Sequence, residues 1–199
     1  LMPLAESAGR WNWGYDGVLP YAPRRTYGKP DDLRALVDHC HQHGIAVLLD
    51  VVYNHLGPEG NYLRDFGPYF TRRHHTPWGS AFNFDGPRSK PVREYVIRNA
   101  LYWINDFHLD GLRCDAVHFM HDNSDPKIAV ELCDRVHALA QQQGRSVHMI
   151  GETNVYDPEL LQDSPPTKPG FDAIWSDDFM HSLMTMVNPE RQLTSRRYN

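Results

Sequence analysis

Apolar residues recur along this chain in two rhythms. Leu33, Leu36, Val37 and Cys40 follow helical spacing after Asp31 and Asp32, which suit a first helical turn, and Gly44 is placed to end the helix. Residues 45–52 then run apolar except for Asp50, the pattern of a parallel strand covered on both faces. The alternation repeats. Ser89 is placed to cap a helix whose apolar face is Val92, Tyr95, Val96, Ala100, Trp103 and Phe107, and a strand is predicted over residues 109–115. Asp125 and Pro126 read as N-cap and first residue of a helix carrying Ile128, Ala129, Leu132, Cys133, Val136 and Ala140 up to Gly144. A strand follows from Val147 to Glu152, a short one from Phe171 to Trp175, and a helix from Asp178 to Val187. Leu1 to Leu4 reads as the tail of an earlier strand. The Gly-, Tyr- and Pro-rich stretch up to Pro30 and residues 53–90 read as long loops, which are usually functional.

Strands alternating with single helices imply an α/β fold with a parallel sheet, either a TIM barrel or a doubly wound sheet. The long polar segments all follow strands, while the helix-to-strand joints at His43-Gly44 and Gln143-Gly144 are tight, as in barrels with functional loops on one face. The expectation is therefore a TIM (β/α)8 barrel. Only about five strands can be counted, whereas a barrel takes eight over about 250 residues. Residues 1–199 are accordingly expected to form a partial catalytic barrel with a loop insertion at 53–90. The chain begins without Met, as if cut from a longer one. Alone, with two open sheet edges, it is expected to be inactive and marginally soluble.

Composition narrows the partners. With 41% hydrophobic and 23% charged residues, the chain has the make-up of a soluble globular domain. Its net charge of -5 and the scattered pairs Arg24-Arg25, Arg72-Arg73 and Arg196-Arg197 argue against a nucleic-acid partner. Three cysteines, 40, 114 and 133, without Cys-x-x-Cys spacing, read as reduced core thiols and favour a cytoplasmic location. No apolar run is long enough to span a bilayer, so no membrane partner is expected.

Three strand-like runs end in chemically able residues: Asp50-Val-Val-Tyr-Asn-His55, Gly111-Leu-Arg-Cys-Asp-Ala-Val-His118 and Ile150-Gly-Glu-Thr153. An Arg-x-Asp alone reads as an ion pair closing a strand. Three such ends suggest one shared face. In order and spacing these segments resemble the first three of the four sequence regions of the α-amylase superfamily of glycoside hydrolases. The wider wording, including residues 12–23, 57–63, 76–79, 83–87 and 175–179, is similar to superfamily members that act on maltooligosyl-trehalose. The chain departs from the pattern at Cys114, where larger apolar residues are usual, and it lacks the fourth region with its third carboxylate, expected beyond Asn199. The resemblance implies a retaining hydrolase that cuts the α-1,4 bond next to the terminal trehalose, with maltooligosyl-trehalose or an α-1,4-glucan as substrate. A transglycosylase such as a glycogen branching enzyme shares the three regions, and a non-catalytic carbohydrate-binding protein is a third possibility.

The chemistry stands beside the resemblance. Retaining cleavage needs two carboxyl groups about 5 to 5.5 Å apart, one attacking the anomeric carbon and one protonating the leaving oxygen. Asp115 and Glu152 end neighbouring strands, which lie about 4.8 Å apart. Glu152 follows the apolar Met149 and Ile150, where desolvation favours a retained proton, so it is expected to be the proton donor. Arg113 is expected to keep Asp115, the nucleophile, ionised. Asp50 with His55 reads either as a metal pair or as a buried hydrogen-bonded couple. The resemblance favours sugar binding for His55 and a local structural partner for Asp50. Tyr15, Tyr53 and Trp78 are candidate platforms for the apolar faces of sugar rings, whereas Trp11, Trp13 and Trp103 read as ordinary packing. The resemblance places Tyr15 under the cleaved sugar, puts Arg113 and His118 among substrate-binding residues, and sets Asp177, Asp178 and Phe179 on the leaving-group side. A plain helix N-terminus explains the two Asp nearly as well. The histidines at 39, 41, 43, 74 and 75 lack a usual ligand spacing, and no metal or cofactor is expected.

Overall fold

A computed structural model describes residues 1–154, 157–161 and 170–188; Arg196-Arg197 lies outside them. In chain order the elements are β1 (Ala5–Ser7), β2 (Gly17–Pro23), α1 (Pro30–Gln42), β3 (Leu48–Val51), α2 (Leu63–Phe66), β4 (Phe70–Thr76), β5 (Gly79–Phe82), α3 (Lys90–Asp106), β6 (Gly111–Cys114), α4 (Ile128–Gln143), β7 (His148–Thr153), β8 (Ala173–Ser176) and α5 (Asp177–Val187).

The central element is a four-stranded sheet in the order β3-β6-β7-β8, with every pair parallel. Sequential strands are neighbours, and helices lie between β3 and β6 and between β6 and β7. This is the βαβ rhythm expected from the sequence, with four strands among the described residues rather than five and no closure into a barrel. The difference lies at the start of the chain. Leu1 does run along the free edge of β3, donating its N–H to Leu48 O (2.6 Å) and accepting from Asp50 N (2.9 Å). Pro3 has no N–H to continue such a ladder, and the segment leaves the edge.

The helices are amphipathic as their spacing predicts. Val92, Val96, Ile97, Ala100, Trp103 and Ile104 of α3 are buried, as are Ile128, Leu132, Cys133 and Val136 of α4, and together with Leu49, Leu112 and Met149 of the sheet they form one core. Each such large side chain contributes about 1.5 to 3 kcal/mol on burial. Gly44 and Gly144, with φ of 69° and 63°, take the left-handed conformation that ends α1 and α4. Cys114 and Cys133 are buried and Cys40 is partly buried, all as free thiols.

Two expectations are corrected here. The stretches read as long loops contain antiparallel ribbons, β1 with β2 and β4 with β5. Asp125 and Pro126 do not open α4. The helix begins at Ile128, and its first N–H is taken by Asp122 Oδ2 (2.5 Å), which the loop folds back to present. Arg93 of α3 fastens that loop, donating to Asp122 (2.6 Å), to Ser124 (2.7 Å) and to the Pro126 carbonyl (2.8 Å).

Candidate active site

The parallel register sets the site. Asp50 pairs with Arg113 across β3 and β6, Arg113 with Ile150 across β6 and β7, and Glu152 with Trp175 across β7 and β8. The polar strand ends therefore converge at the C-terminal edge of the sheet. At their centre lies Arg113. Its Nη1 is 2.7 Å from each carboxylate oxygen of Asp50 and 3.0 Å from Asp115 Oδ1, and its Nη2 is 3.5 Å from Glu152 Oε2. One guanidinium thus faces three carboxyl groups, in side chains only 11 to 20% exposed.

Each carboxyl is held in its own way. Asp50 also accepts the Tyr15 hydroxyl (2.7 Å). Burial pushes the Asp50 carboxyl above its ordinary pKa even against the donors Arg113 and Tyr15, and burial with the Asp50 contact pushes Tyr15 up to about 12. Asp115 accepts Arg113 on Oδ1 and Asn54 Nδ2 on Oδ2 (3.1 Å), so both of its oxygens are oriented. Glu152 accepts the N–H of Ala116 on Oε2 (2.7 Å). Burial raises its pKa, with Asp115 and Asp177 adding to the effect and Ala116 and Arg113 opposing it. The buried Arg113 is held firmly charged, because Asp50, Asp115 and Glu152 outweigh the desolvation that would lower its pKa.

His55 is buried, and its tautomer follows from the hydrogen bonds of Asn54. Asn54 Nδ2 faces the Asp115 carbonyl (2.9 Å) and carboxylate, both acceptors, so Asn54 Oδ1 faces His55 Nδ1 (2.5 Å) and His55 Nδ1–H is the donor. His55 Nε2 is buried, with the Tyr15 backbone near the ring and no hydrogen bond of good geometry among the described residues. Burial lowers the His55 pKa and keeps the ring neutral. Asp50 and His55 are therefore neither a metal pair nor hydrogen-bonded to each other: Asp50 bonds Arg113 and Tyr15, and His55 bonds Asn54. Among the described residues, no group of three or more His, Cys, Asp or Glu is placed to hold a metal ion.

The Tyr15 loop reaches the site through a close approach. The N–H of Gly57 donates to Gly17 O (3.0 Å), and a Cβ on Gly57 would stand 2.2 Å from Asp16 O. No larger residue fits there. Trp78, at the β4–β5 turn, stacks on His55 with ring centroids 5.5 Å apart and is 49% exposed. Phe119 meets Trp78 edge-on at 5.2 Å and lies 4.4 Å from His118. His118 is half-buried, and desolvation lowers its pKa against the pull of Asp115 and Asp177.

The geometry thus gathers Asp115, Glu152, Arg113, Tyr15 and His55, with His118 and Asp177 at the margin. Asp177 and Asp178 occupy the first turn of α5, and Phe179 is 73% exposed. Three aromatic readings are corrected. Tyr53 is no platform, since it is buried with its hydroxyl on Asn99 (2.8 Å). Trp11 and Trp13 are not packed but 87% and 80% exposed. Asn54, Ala116 and Trp175, whose ring lies 5.2 Å from the Arg113 guanidinium, were not singled out by the sequence. All three lie inside the segments quoted above, at Asp50–His55, Gly111–His118 and 175–179, but that membership alone assigned them no contact.

Parallel strands alternating with helices, with an Arg-linked acid cluster at their C-terminal ends, are the arrangement of an α/β enzyme whose site sits on that face. The family model "Alpha amylase, catalytic domain" matches residues 1–77. A solved structure named as a candidate α-amylase of Salmonella typhimurium superposes with a TM-score of 0.86 at 38% identity, covering 98% of this chain and 33% of that one. The chain belongs to the α-amylase superfamily of glycoside hydrolases. Within it, the chain is 45% identical over 194 residues to the malto-oligosyltrehalose trehalohydrolase of Saccharolobus solfataricus, covering 96% of this chain and 33% of the relative. It is 46% identical over 190 residues to that of Arthrobacter ramosus, with the same coverage. The chain spans about a third of the length of the curated relatives it matches.

Proposed function

We propose that this chain supplies the reacting carboxyl groups of a retaining glycosidase that cuts the α-1,4 bond next to the terminal trehalose of maltooligosyl-trehalose. Asp115 is the nucleophile and Glu152 the proton donor. The observation that carries this reading is the asymmetry between them. Asp115 has both oxygens held by donors, one a guanidinium, which suits a standing anion. Glu152 has a single short hydrogen bond and a burial-raised pKa, which suits a group that keeps a proton to give. Attack by Asp115 forms a glycosyl ester as Glu152 protonates the departing oxygen, and Glu152 then deprotonates the water that releases the sugar.

Tyr15, on Asp50, and Trp78, on His55, offer faces to the ring being cleaved, and His55 is assigned to binding that sugar. Arg113 orients the nucleophile. His118, Asp177, Asp178 and Phe179 are assigned to the leaving trehalose, on the Glu152 side. The 45% identity to a trehalohydrolase supports this substrate. Residues 1–199 are read as one part of a (β/α)8 catalytic domain, in a protein working in the cytoplasm. Incubating the natural protein with maltotriosyl-trehalose tests the reading. Free trehalose and a maltotriose first formed as the α-anomer support it. New α-1,6 branches on a glucan, without trehalose, replace it with a transglycosylase.

A further inference from the structure

Asn54 is fully buried, and all its hydrogen bonds lead toward the site. Its Nδ2 donates to the Asp115 carbonyl (2.9 Å) and carboxylate (3.1 Å). The peptide unit joining Asp115 to Ala116 is therefore held at its carbonyl by Asn54, and its N–H donates to Glu152 Oε2 (2.7 Å). A hydrogen bond accepted at one end of a peptide strengthens the one donated from the other. Ala116 adopts φ 43° and ψ 55°, a left-handed conformation unusual for a residue with a Cβ, and its carbonyl accepts the Phe119 N–H (2.9 Å). Such a strained turn persists where its surroundings fix it, and here it aims the N–H at Glu152.

We infer that Asn54 is a positioning residue for both carboxyl groups, and that the Asp115–Ala116 peptide it clamps confines the acid proton of Glu152 to Oε1. Oε2 faces two donors, the Ala116 N–H and Arg113 Nη2 at 3.5 Å. A proton on Oε2 would point at donors, whereas one on Oε1 leaves Oε2 its acceptor role. The proton is thus kept off the oxygen that faces Arg113 and held on Oε1. This rests on the roles proposed for Asp115 and Glu152. The charged and titratable groups around them are Arg113 and Asp177 for Glu152, and Arg113, Asp50, Tyr15, His55 and His118 for Asp115.

The test is the pH profile of kcat/KM for trehalose release by the natural protein, with two variants. Asn54→Ala removes the donor to the Asp115 carbonyl and loosens the peptide, so the alkaline limb set by Glu152 rises. The shift is about half to one pH unit. In the second variant the 115–116 amide is replaced by an ester, which keeps every side chain and removes the N–H. Its alkaline limb rises as well. A kcat/KM that falls in Asn54→Ala with the alkaline limb unmoved, or an ester variant with the wild-type profile, overturns the inference. A wild-type protein that releases no sugar overturns the inference together with the reading of the site.

Discussion

Nη1 of Arg113 lies 2.7 Å from each carboxylate oxygen of Asp50, although the two residues belong to neighbouring strands and are 63 positions apart. Their pairing joins β3 to β6 through side chains within the backbone ladder, one pair before its last, and it places Arg113 for its contact with Asp115. Without Asp50, Arg113 keeps Asp115 at 3.0 Å and Glu152 at 3.5 Å, but the Tyr15 hydroxyl and part of Nη1 lose their acceptor, at a cost of about 1 to 3 kcal/mol. Asp50→Ala is therefore expected to lower the melting temperature clearly. An unchanged melting curve would show that the pair adds nothing to the fold.

Asn99 is a structural counterpart of Asn54, set below the site. Its Oδ1 accepts the Tyr53 hydroxyl (2.8 Å) and Trp103 Nε1–H (3.2 Å), and its Nδ2 donates to Pro20 O (2.8 Å), all in a buried setting. Truncation strands two donors and a carbonyl, each costing about 1 kcal/mol or more. Asn99→Ala should lose about 3 kcal/mol in a denaturant titration. A loss below about 1 kcal/mol, the scale of one ordinary hydrogen bond, would contradict this account.

Asp172 sits just before β8, where its Oδ2 accepts the Met149 N–H (2.6 Å) and meets His137 Nε2 (3.1 Å). Burial alone would raise its pKa, but these donors hold it below the ordinary value. With a depressed pKa in the folded state, its stabilisation is present above the unfolded pKa, about 3.9, and fades as pH falls through the folded pKa. Asp172→Asn should therefore melt lower than wild type at pH 7, and the gap should close on acidification below about pH 4. A gap of constant size from pH 7 to pH 3 would rule out this linkage.

Glu152 has the opposite sign. Its folded pKa is raised above the unfolded one, so its ionisation opposes folding, and stability falls as pH rises through the folded pKa. Glu152→Gln removes that cost. The variant should melt higher than wild type near pH 7, and the gain should vanish below about pH 4, where the acid is protonated in both states. Stability gained where turnover is lost is the usual trade at a working site. A variant melting lower than wild type at pH 7 would contradict a strained acid.

The helices were legible because a 3.6-residue period survives in Val92, Val96, Ala100 and Trp103 whatever the tertiary context, and the sheet because apolar runs recur between them. The ribbon β4–β5 was not. Arg72, Arg73, His74 and His75 give it no apolar alternation, and only its other end, Phe70 with Ala81 and Phe82, packs on the core. The start of α4 was misplaced because the capping carboxylate, Asp122, lies six residues upstream of the N–H it accepts. Asp115, Glu152 and Arg113 could be placed together since all three stand at strand ends. Asn54 and Ala116 could not, because a backbone N–H has no sequence signature and an Asn in a turn reads as a turn residue.

The central claim is that Asp115 and Glu152 play different parts in one retaining reaction. The most direct measurement is the turnover of Asp115→Asn and Glu152→Gln natural protein on two substrates, maltotriosyl-trehalose and maltosyl fluoride, whose leaving group needs no proton. Asp115→Asn should be inactive on both while keeping the wild-type fold by circular dichroism. Glu152→Gln should lose about 10²- to 10⁴-fold on maltotriosyl-trehalose and still form the glycosyl-enzyme from the fluoride. Equal losses on the two substrates for Glu152→Gln, or wild-type turnover in Asp115→Asn, would contradict the assignment.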